Sequence, residues 1–433
     1  MSARPWRWVP SLYFAEAVPY VIVMTVSVIL YKRLGVDNST IAFATSWLYL
    51  PWVVKPLWSP FVDLFGTKRR WITGMQLPLG VALALVAFAL PLPGAFPLTL
   101  AVFWLMAFLS ATHDIAADGF YLLALDEGSQ AAFVGVRSTF YRIAMIAAQG
   151  ALVWFAGQIE TAGLLGREAA DIRLAWGLSF GLLSALFLGL FLWHRFALPR
   201  PAADVPGRRR PAREVLREFG AVFVRFFAKP RIAVVIAFLL LYRFSEAQLV
   251  KMVSPFLLDP RADGGLGLST KEVGLAYGTV GLGALMAGGI LGGWAISRRG
   301  LRFWLWPMVL ALNVPNLLYL WLAHAPPDRF LVVCASVAAE QFGYGFGFTA
   351  YVMFMILVSE GEHRTAHYAL CTGFMALGMM LPGMWSGSLE ERIGYPHFFL
   401  WVAASAIPCL LVTTLVRIPR GFGRKGELRE REQ

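Results

Sequence analysis

Residues 110–125 read SATHDIAADGFYLLAL and follow directly on the apolar run LTLAVFWLMAFL. Three residues able to do chemistry, His113, Asp114 and Asp118, therefore sit inside a hydrophobic stretch. An ionised carboxylate in apolar surroundings is costly unless it is paired. On a helix, residues four apart share a face, so Asp114 and Asp118 form one acidic edge. Asp118 lies near the cytoplasmic end of that helix, and at 1.5 Å per residue Asp114 lies about 6 Å deeper. His113 points to another face, where a hydrogen-bonded packing role competes with proton transfer. Other charges recur at similar depth: Glu16, Lys55, Arg142, Arg243, Glu246 and Lys251, with Glu340 as a further acid. Desolvated carboxyl groups can take up and release protons. Ammonium and guanidinium groups hold anions. Asp114, Asp118, Glu16, Glu246 and His113 are thus candidate proton carriers. Lys55, Arg142, Arg243 and Lys251 are candidate anion contacts. Arg142 and Lys55 are candidate partners for the aspartates, and Arg243 lies three residues before Glu246, within reach on one helix. The bland alternative is a structural salt bridge that clamps helices together.

The elements that must position these residues are apolar. Hydrophobic types make up 58% of the 433 residues and charged types only 15%, against about 25% in an ordinary soluble domain. Twelve runs recur at membrane-spanning length, near 8–31, 39–61, 71–91, 97–123, 132–159, 173–196, 231–258, 271–297, 302–323, 329–358, 365–388 and 395–417. They are too long for membrane β-strands. The first run contains Glu16 with no small-residue cleavage site after it, so it is expected to be a retained helix. The net charge of +12 is a matter of topology, with no nucleic-acid partner expected. With both termini cytoplasmic, 26 Lys and Arg fall on the inner side and 8 on the outer. The inner excess also suits contact with membrane lipids. Cys334, Cys371 and Cys409 have no metal-ligand spacing and read as small core residues. Asn38-Ser39-Thr40 matches a glycosylation acceptor, a triplet common by chance.

The polar stretch PRPAADVPGRRRPARE (199–214) reads as a basic cytoplasmic linker, and EFGAVFVRFFAK (218–229) as an interfacial helix. This gives a six-helix bundle over 1–196, a linker over 197–230, a second bundle over 231–418 and a tail over 419–433. Landmarks recur between the halves: Glu16-Ala17 with Glu246-Ala247 at offset 230, Arg69-Arg70 with Arg298-Arg299 at 229, and Glu127-Gly128 with Glu360-Gly361 at 233. The expected fold is an all-α membrane protein with twelve transmembrane helices in two pseudo-symmetric bundles, the plan of the major facilitators. At offset 233, Asp114 and Asp118 align with Gly347 and Tyr351, so the acidic pair belongs to one half. That asymmetry favours function over architecture. In VDLFGTKRR (62–70), Asp63 followed by Lys68, Arg69 and Arg70 is a candidate cytoplasmic gate, against plain inner-side charge. Trp52, in an aromatic second run, stacks on a sugar ring or anchors the interface. The glycines of runs 8 and 10 allow close helix approach or, in run 10, bending.

LYFAEAVPY (12–20), VVKPLWSPFVD (53–63), ATHDIAADGFYLLAL (111–125) and FYRIAM (140–145) resemble the peptide/acetyl-coenzyme A transporter branch of the major facilitators, which includes the AmpG-type muropeptide permeases. The shared patterns are K-x-L-W-S-P-x-x-D at Lys55, Leu57, Trp58, Ser59, Pro60 and Asp63, D-I-x-x-D at Asp114, Ile115 and Asp118, and Y-R at Tyr141-Arg142. The resemblance adds Tyr141 to the candidate substrate contacts. His113 stands where the family often has Gln, and DEGSQAA replaces its usual acidic-Arg-Gly run. The resemblance implies proton-driven import of N-acetylglucosamine and anhydro-N-acetylmuramic acid peptides across a bacterial inner membrane. Acetyl-coenzyme A or another organic anion is the alternative solute. An intramembrane enzyme or a lipid scramblase is the alternative of another class. No HExxH motif supports the former and no Walker A motif supports ATP drive. The expected partners are a small-molecule solute, protons and lipids, with no cofactor or metal and a monomeric chain.

Overall fold

The computed structural model describes residues 5–162, 171–205, 212–361 and 363–424. Among them the regular elements are helices only. Helix α1 runs Pro5–Arg33, with a π-turn at Ile22–Val26. Helix α2 has two parts, Asn38–Trp47 and Leu50–Leu64. Then come α3 (Lys68–Ala89), α4 (Ala95–Ala124), α5 (Gly128–Thr161, with a π-turn at Ala147–Ala151) and α6 (Ile172–Ala197). The second half holds α7 (Ile232–Leu258), α8 (Thr270–Arg299), α9 (Leu301–His324) and α10 (Phe330–Ser359). The continuous stretch Arg364–Ala404 is two helices meeting at Gly394, whose φ of 73° no helix tolerates. They are α11 (364–393) and α12 (395–415). Among the described residues ten stretches are long and apolar enough to cross a bilayer. One of them, Arg364–Leu415, holds two helices, and α2 falls outside the ten because it breaks at Leu48-Tyr49. Twelve crossings result, as the hydropathy pattern predicts.

Side-chain caps set where helices begin. Asp37 accepts from the Thr40 amide, Thr67 from Arg70 and Asp126 from Ser129. Ser269 and Glu272 form a reciprocal capping box at α8.

The chain forms two compact units. Unit 1 comprises Met1–Val36, Val54–Leu216 and Ser269–Gly278. Its core includes Trp8, Leu12, Tyr13, Ile72, Ala116, Phe120 and Tyr121. Unit 2 comprises Asp37–Val53, Arg217–Leu268 and Thr279–Gln433, with a core around Phe238, Tyr242, Met308, Tyr351 and Phe354. Helices α2 and α8 are thus each divided between the units, at 53/54 and 278/279. Within unit 2 the α2 segment is clasped by α7, α11 and α12. Asn38 donates to Glu390 Oε2 at 2.7 Å and Tyr395 Oη at 3.0 Å, and Tyr395 donates to Asp259 Oδ2 at 2.6 Å. Asn38 is buried there and closed to glycosylation. Within unit 1 the start of α8 is held through Glu160. This carboxylate accepts from Thr270 Oγ1 at 2.7 Å, Arg33 Nη2 at 2.9 Å and Trp176 Nε1 at 3.0 Å.

The linker divides too. Asp204 accepts from the amides of Lys68 at 2.7 Å and Arg69 at 3.1 Å, capping α3 in unit 1. The linker helix Ala212–Phe227 seats Phe226 against Phe374 and His367 in unit 2. Residues 206–211 of the linker and 425–433 of the tail lie outside the described residues. The three cysteines are buried and unbonded to one another.

Candidate functional site

The acidic edge of α4 meets α1, α2 and α5 inside unit 1. Glu16 stands on α1, Lys55 on the second part of α2, and Arg137 on α5. One carboxylate oxygen each from Glu16, Asp114 and Asp118 lie within 4.8 Å of one another. Lys55 Nζ pairs with Asp114. Arg137 Nη2 pairs with Asp118 Oδ1 at 2.7 Å, and Tyr13 donates to the same oxygen at 3.3 Å. The Arg137 guanidinium also covers the Tyr13 ring, 4.5 Å from its centroid. Glu16 is 5% exposed, and its Oε2 has no hydrogen-bond partner among the described residues. Burial without a donor is expensive for an ionised carboxylate and cheap for a protonated one.

Arg137 is the cation that sequence reasoning missed. The inner-side count of 26 includes it, whereas it lies well inside α5 and neutralises Asp118. The signal was there, since Arg137 falls within the fifth apolar run, five residues before Arg142. Arg142 and Tyr141 are half-buried on the same helix.

His113 turns away from the acids. Its Nε2 lies 3.0 Å from Gln76 Nε2, and Gln76 Oε1 lies 3.0 Å from His194 Nδ1. His194 Nε2 meets Ser11 Oγ at 2.9 Å. This buried chain ties α4, α3, α6 and α1 together and gives each imidazole a partner. The expected gate cluster is likewise embedded in unit 1. Lys68 is buried against Gly119, and Arg69 donates to the carbonyls of Arg195 and Leu198. Arg70 donates its amide to Thr67 Oγ1. The side chain of Asp63 lies outside the described residues.

Arg243, Glu246, Lys251 and Trp52 belong to unit 2. Arg243 Nη2 donates to Tyr344 Oη at 2.5 Å and its guanidinium lies over the Tyr344 and Phe348 rings. Lys251 Nζ donates to Thr45 Oγ1 at 2.9 Å and lies 5.2 Å from the centroid of Tyr49. Trp52 is half-buried. The structure therefore gathers Glu16, Lys55, Asp114 and Asp118 in one place. Arg243, Glu246 and Lys251 belong to unit 2.

Such an arrangement can hold a proton among close carboxyl groups and can release a cation to an incoming anion. A solute carboxylate near Lys55 competes with Asp114, and one near Arg137 competes with Asp118. The positive charge facing the acids comes from the protein itself.

Comparison with known proteins bears on what uses this chemistry. The family model described as Major Facilitator Superfamily matches residues 11–360. The anhydromuropeptide permease of Escherichia coli (strain K12) is 26% identical over 389 residues, covering 88% of this chain and 74% of that protein. A Rickettsia conorii protein carrying the transporter name AmpG 4 is 25% identical over 418 residues, covering 93% and 94%. Among solved structures, the nucleoside transporter NupG (D323A mutant) superposes with a TM-score of 0.69 at 15% identity, covering 94% of this chain and 99% of that one. A POT family transporter in complex with 5-aminolevulinic acid gives 0.69 at 12% identity, covering 94% and 95%. The last two show a shared fold.

Proposed function

The chain belongs to the Major Facilitator Superfamily and is a multi-pass membrane transporter, not an enzyme; from that premise we propose that it imports a polar, anionic solute together with protons. The solute class is a muropeptide or a related N-acetylglucosamine-containing sugar or sugar-peptide. The membrane is the bacterial inner membrane, both termini lie in the cytoplasm, and the working unit is the monomer. Transport proceeds by alternating access.

One observation carries the reading. Three carboxyl groups bring one oxygen each to within 4.8 Å of the others, one group is buried with an unpartnered oxygen, and two cations bind the other two. Like charges this close in a poorly solvated site favour a shared proton over full ionisation. Lys55 and Arg137 are held by aspartates until an anion replaces them. Protonation of the trio loosens the aspartates' hold on both cations and favours solute binding, which links proton and solute in the same step. Similarity to a protein named anhydromuropeptide permease supports the solute class. Acetyl-coenzyme A, an anion of different shape, is the second solute to test.

The test is thermal-shift binding with the purified protein. The panel holds an anhydromuropeptide, its peptide-free disaccharide, N-acetylglucosamine oligomers and acetyl-coenzyme A. A ligand that binds only the folded state raises the midpoint, by about 2.7 kcal/mol of stabilisation at a hundredfold excess over Kd. A shift with the anhydro-sugars is expected. A shift with acetyl-coenzyme A alone would move the assignment to that anion.

A further inference from the structure

Lys251 on α7 is 2% exposed, and the mechanism above leaves it unused. Its Nζ donates to Thr45 Oγ1 at 2.9 Å and lies 5.2 Å from the centroid of Tyr49. Thr45 in turn donates to the carbonyl of Ile41 at 2.7 Å, so its hydroxyl offers the ammonium a lone pair and no charge. Arg33, Lys55 and Arg137 each meet a carboxylate. Among the described residues Lys251 meets none. An ammonium carries three N–H donors, and one hydroxyl and one ring face serve two of them at most.

Ser46, the next residue on α2, is fully buried, and its Oγ has no hydrogen-bond partner among the described residues. Gly383 of α11 ties it to the lysine. A Cβ there would stand 2.7 Å from Ser46 Oγ and 3.2 and 3.4 Å from Lys251 Cγ and Cε, so the hydroxyl and the lysine stem border one spot. A buried cation without a counter-ion and a buried hydroxyl without a partner both cost free energy. One small oxyanion serves both, since it accepts from each. The nearest carboxylate on α11 with a described partner, Glu390, accepts instead from Asn38, two turns before Thr45. The repeat agrees. At offset 230, which aligns Glu246 with Glu16, Lys251 aligns with Val21 (251 − 230 = 21). The cation therefore belongs to the second bundle alone, and architecture shared by the two halves does not call for it.

We propose that Lys251 and Ser46, with Thr45 as support, form a carboxylate-binding site in the second bundle. The ammonium supplies the charge and the hydroxyl a second donor. The site is closed in this structure, and a carboxylate reaches it when Thr45 and Ser46 move off α7. That the carboxylate belongs to the solute rests on the anionic solute proposed above, whereas the existence of the site does not.

The test is the thermal midpoint of the full chain in detergent, first in zwitterionic buffer free of small anions and then with sodium formate, the smallest carboxylate. Without anions Lys251→Met should melt a few degrees above the wild type, because it removes a stranded charge and keeps the stem. Formate should raise the wild-type midpoint and leave that of Lys251→Met unchanged. Ser46→Ala, a milder change, should keep the anion-free midpoint and lose part of the formate shift. Lys251→Met should also bind the anhydromuropeptide about tenfold more weakly, the loss of one charged hydrogen bond. A formate shift with unchanged anhydromuropeptide affinity would keep the site and reject its use by that solute. An equal formate shift in Lys251→Met would overturn the site. So would an anion-free wild type as stable as Lys251→Met, or chloride acting as strongly as formate, which would make it a halide site. A wild type that reaches the Lys251→Met midpoint on raising pH, with no response to formate, would overturn it too, because the charge would then be lost as a proton.

Discussion

Asp114 and Lys55 depend on each other, because each is about a quarter exposed and stands inside an apolar bundle. Removing one leaves the other charged and poorly solvated. Exposed pairs contribute about 0–1 kcal/mol, whereas breaking fully buried ones costs about 3–5 kcal/mol. Asp114→Asn should therefore destabilise the chain by about 2 kcal/mol, between those limits. Lys55→Met on the same background should recover most of the loss, because it removes the stranded ammonium. Uptake should stay abolished in both, since the single variant loses a proton-carrying carboxyl group and the double variant loses the anion contact as well. A denaturation midpoint and an uptake assay on the two singles and the double close the cycle. If the double variant transports, this pair is a clamp and carries no solute. The acids themselves were legible in the sequence, because a carboxylate in an apolar run is conspicuous. Lys55, the partner of Asp114, was legible with them, but the partner of Asp118 was not. Depth read from helix ends favoured Arg142, whereas Arg137, one and a half turns earlier, reaches Asp118 because Tyr13 supports it from α1. The buried chain through Gln76 and His194 left no trace either, since polar residues spread over four runs carry no spacing.

At the scale of elements, glycine decides which helices touch. A Cβ at Gly345 of α10 would stand 2.1 Å from Leu285 O of α8, and one at Gly387 of α11 would stand 2.0 Å from Asn38 O of α2. Side chains cannot share that space, so any substitution must push the helices apart. The alternation of glycine with aromatics in α10 thus serves close crossing, the first of the two roles its sequence allows. The α2–α11 crossing carries more weight, because the Asn38, Glu390, Tyr395 and Asp259 bonds all sit around Gly387. Gly387→Val should lower stability by about 1–3 kcal/mol, the usual cost of overpacking, and loosen that clasp. Protection of the Asn38–Trp47 amides in hydrogen exchange would fall selectively, with α3 and α4 unchanged. Uniform loss across the chain would instead mark simple misfolding. Small-residue spacing was visible in the sequence as a tendency. Which carbonyl each glycine meets depends on helix rotation, which periodicity does not set to within one residue.

The largest-scale feature is an exchange. Residues 37–53, from the first half of the sequence, complete unit 2, and residues 269–278, from the second half, complete unit 1. Both belong to equivalent helices, α2 and α8, of the two repeats. The repeat itself was legible from recurring landmarks, and with it twelve crossings. The exchange was not, because a boundary drawn at the basic linker assumes that each half keeps its own helices. Each exchanged piece is held by buried polar bonds: Asn38 to Glu390 and Tyr395 in one case, Thr270 to Glu160 in the other. A half expressed alone lacks the other's segment and exposes acceptors built to be covered, which costs free energy for each unmet bond. Co-expression of residues 1–205 with residues 212–433 should therefore yield an assembled pair that is retained together through affinity purification and transports. Either piece alone should be degraded or aggregate. Glu160→Ala in the first piece should weaken recovery of the second, because it removes the acceptor that holds Thr270 while leaving the linker break unchanged. Equal recovery with and without Glu160 would mean that the halves are held by apolar packing, and that the exchanged segments follow the fold without fastening it.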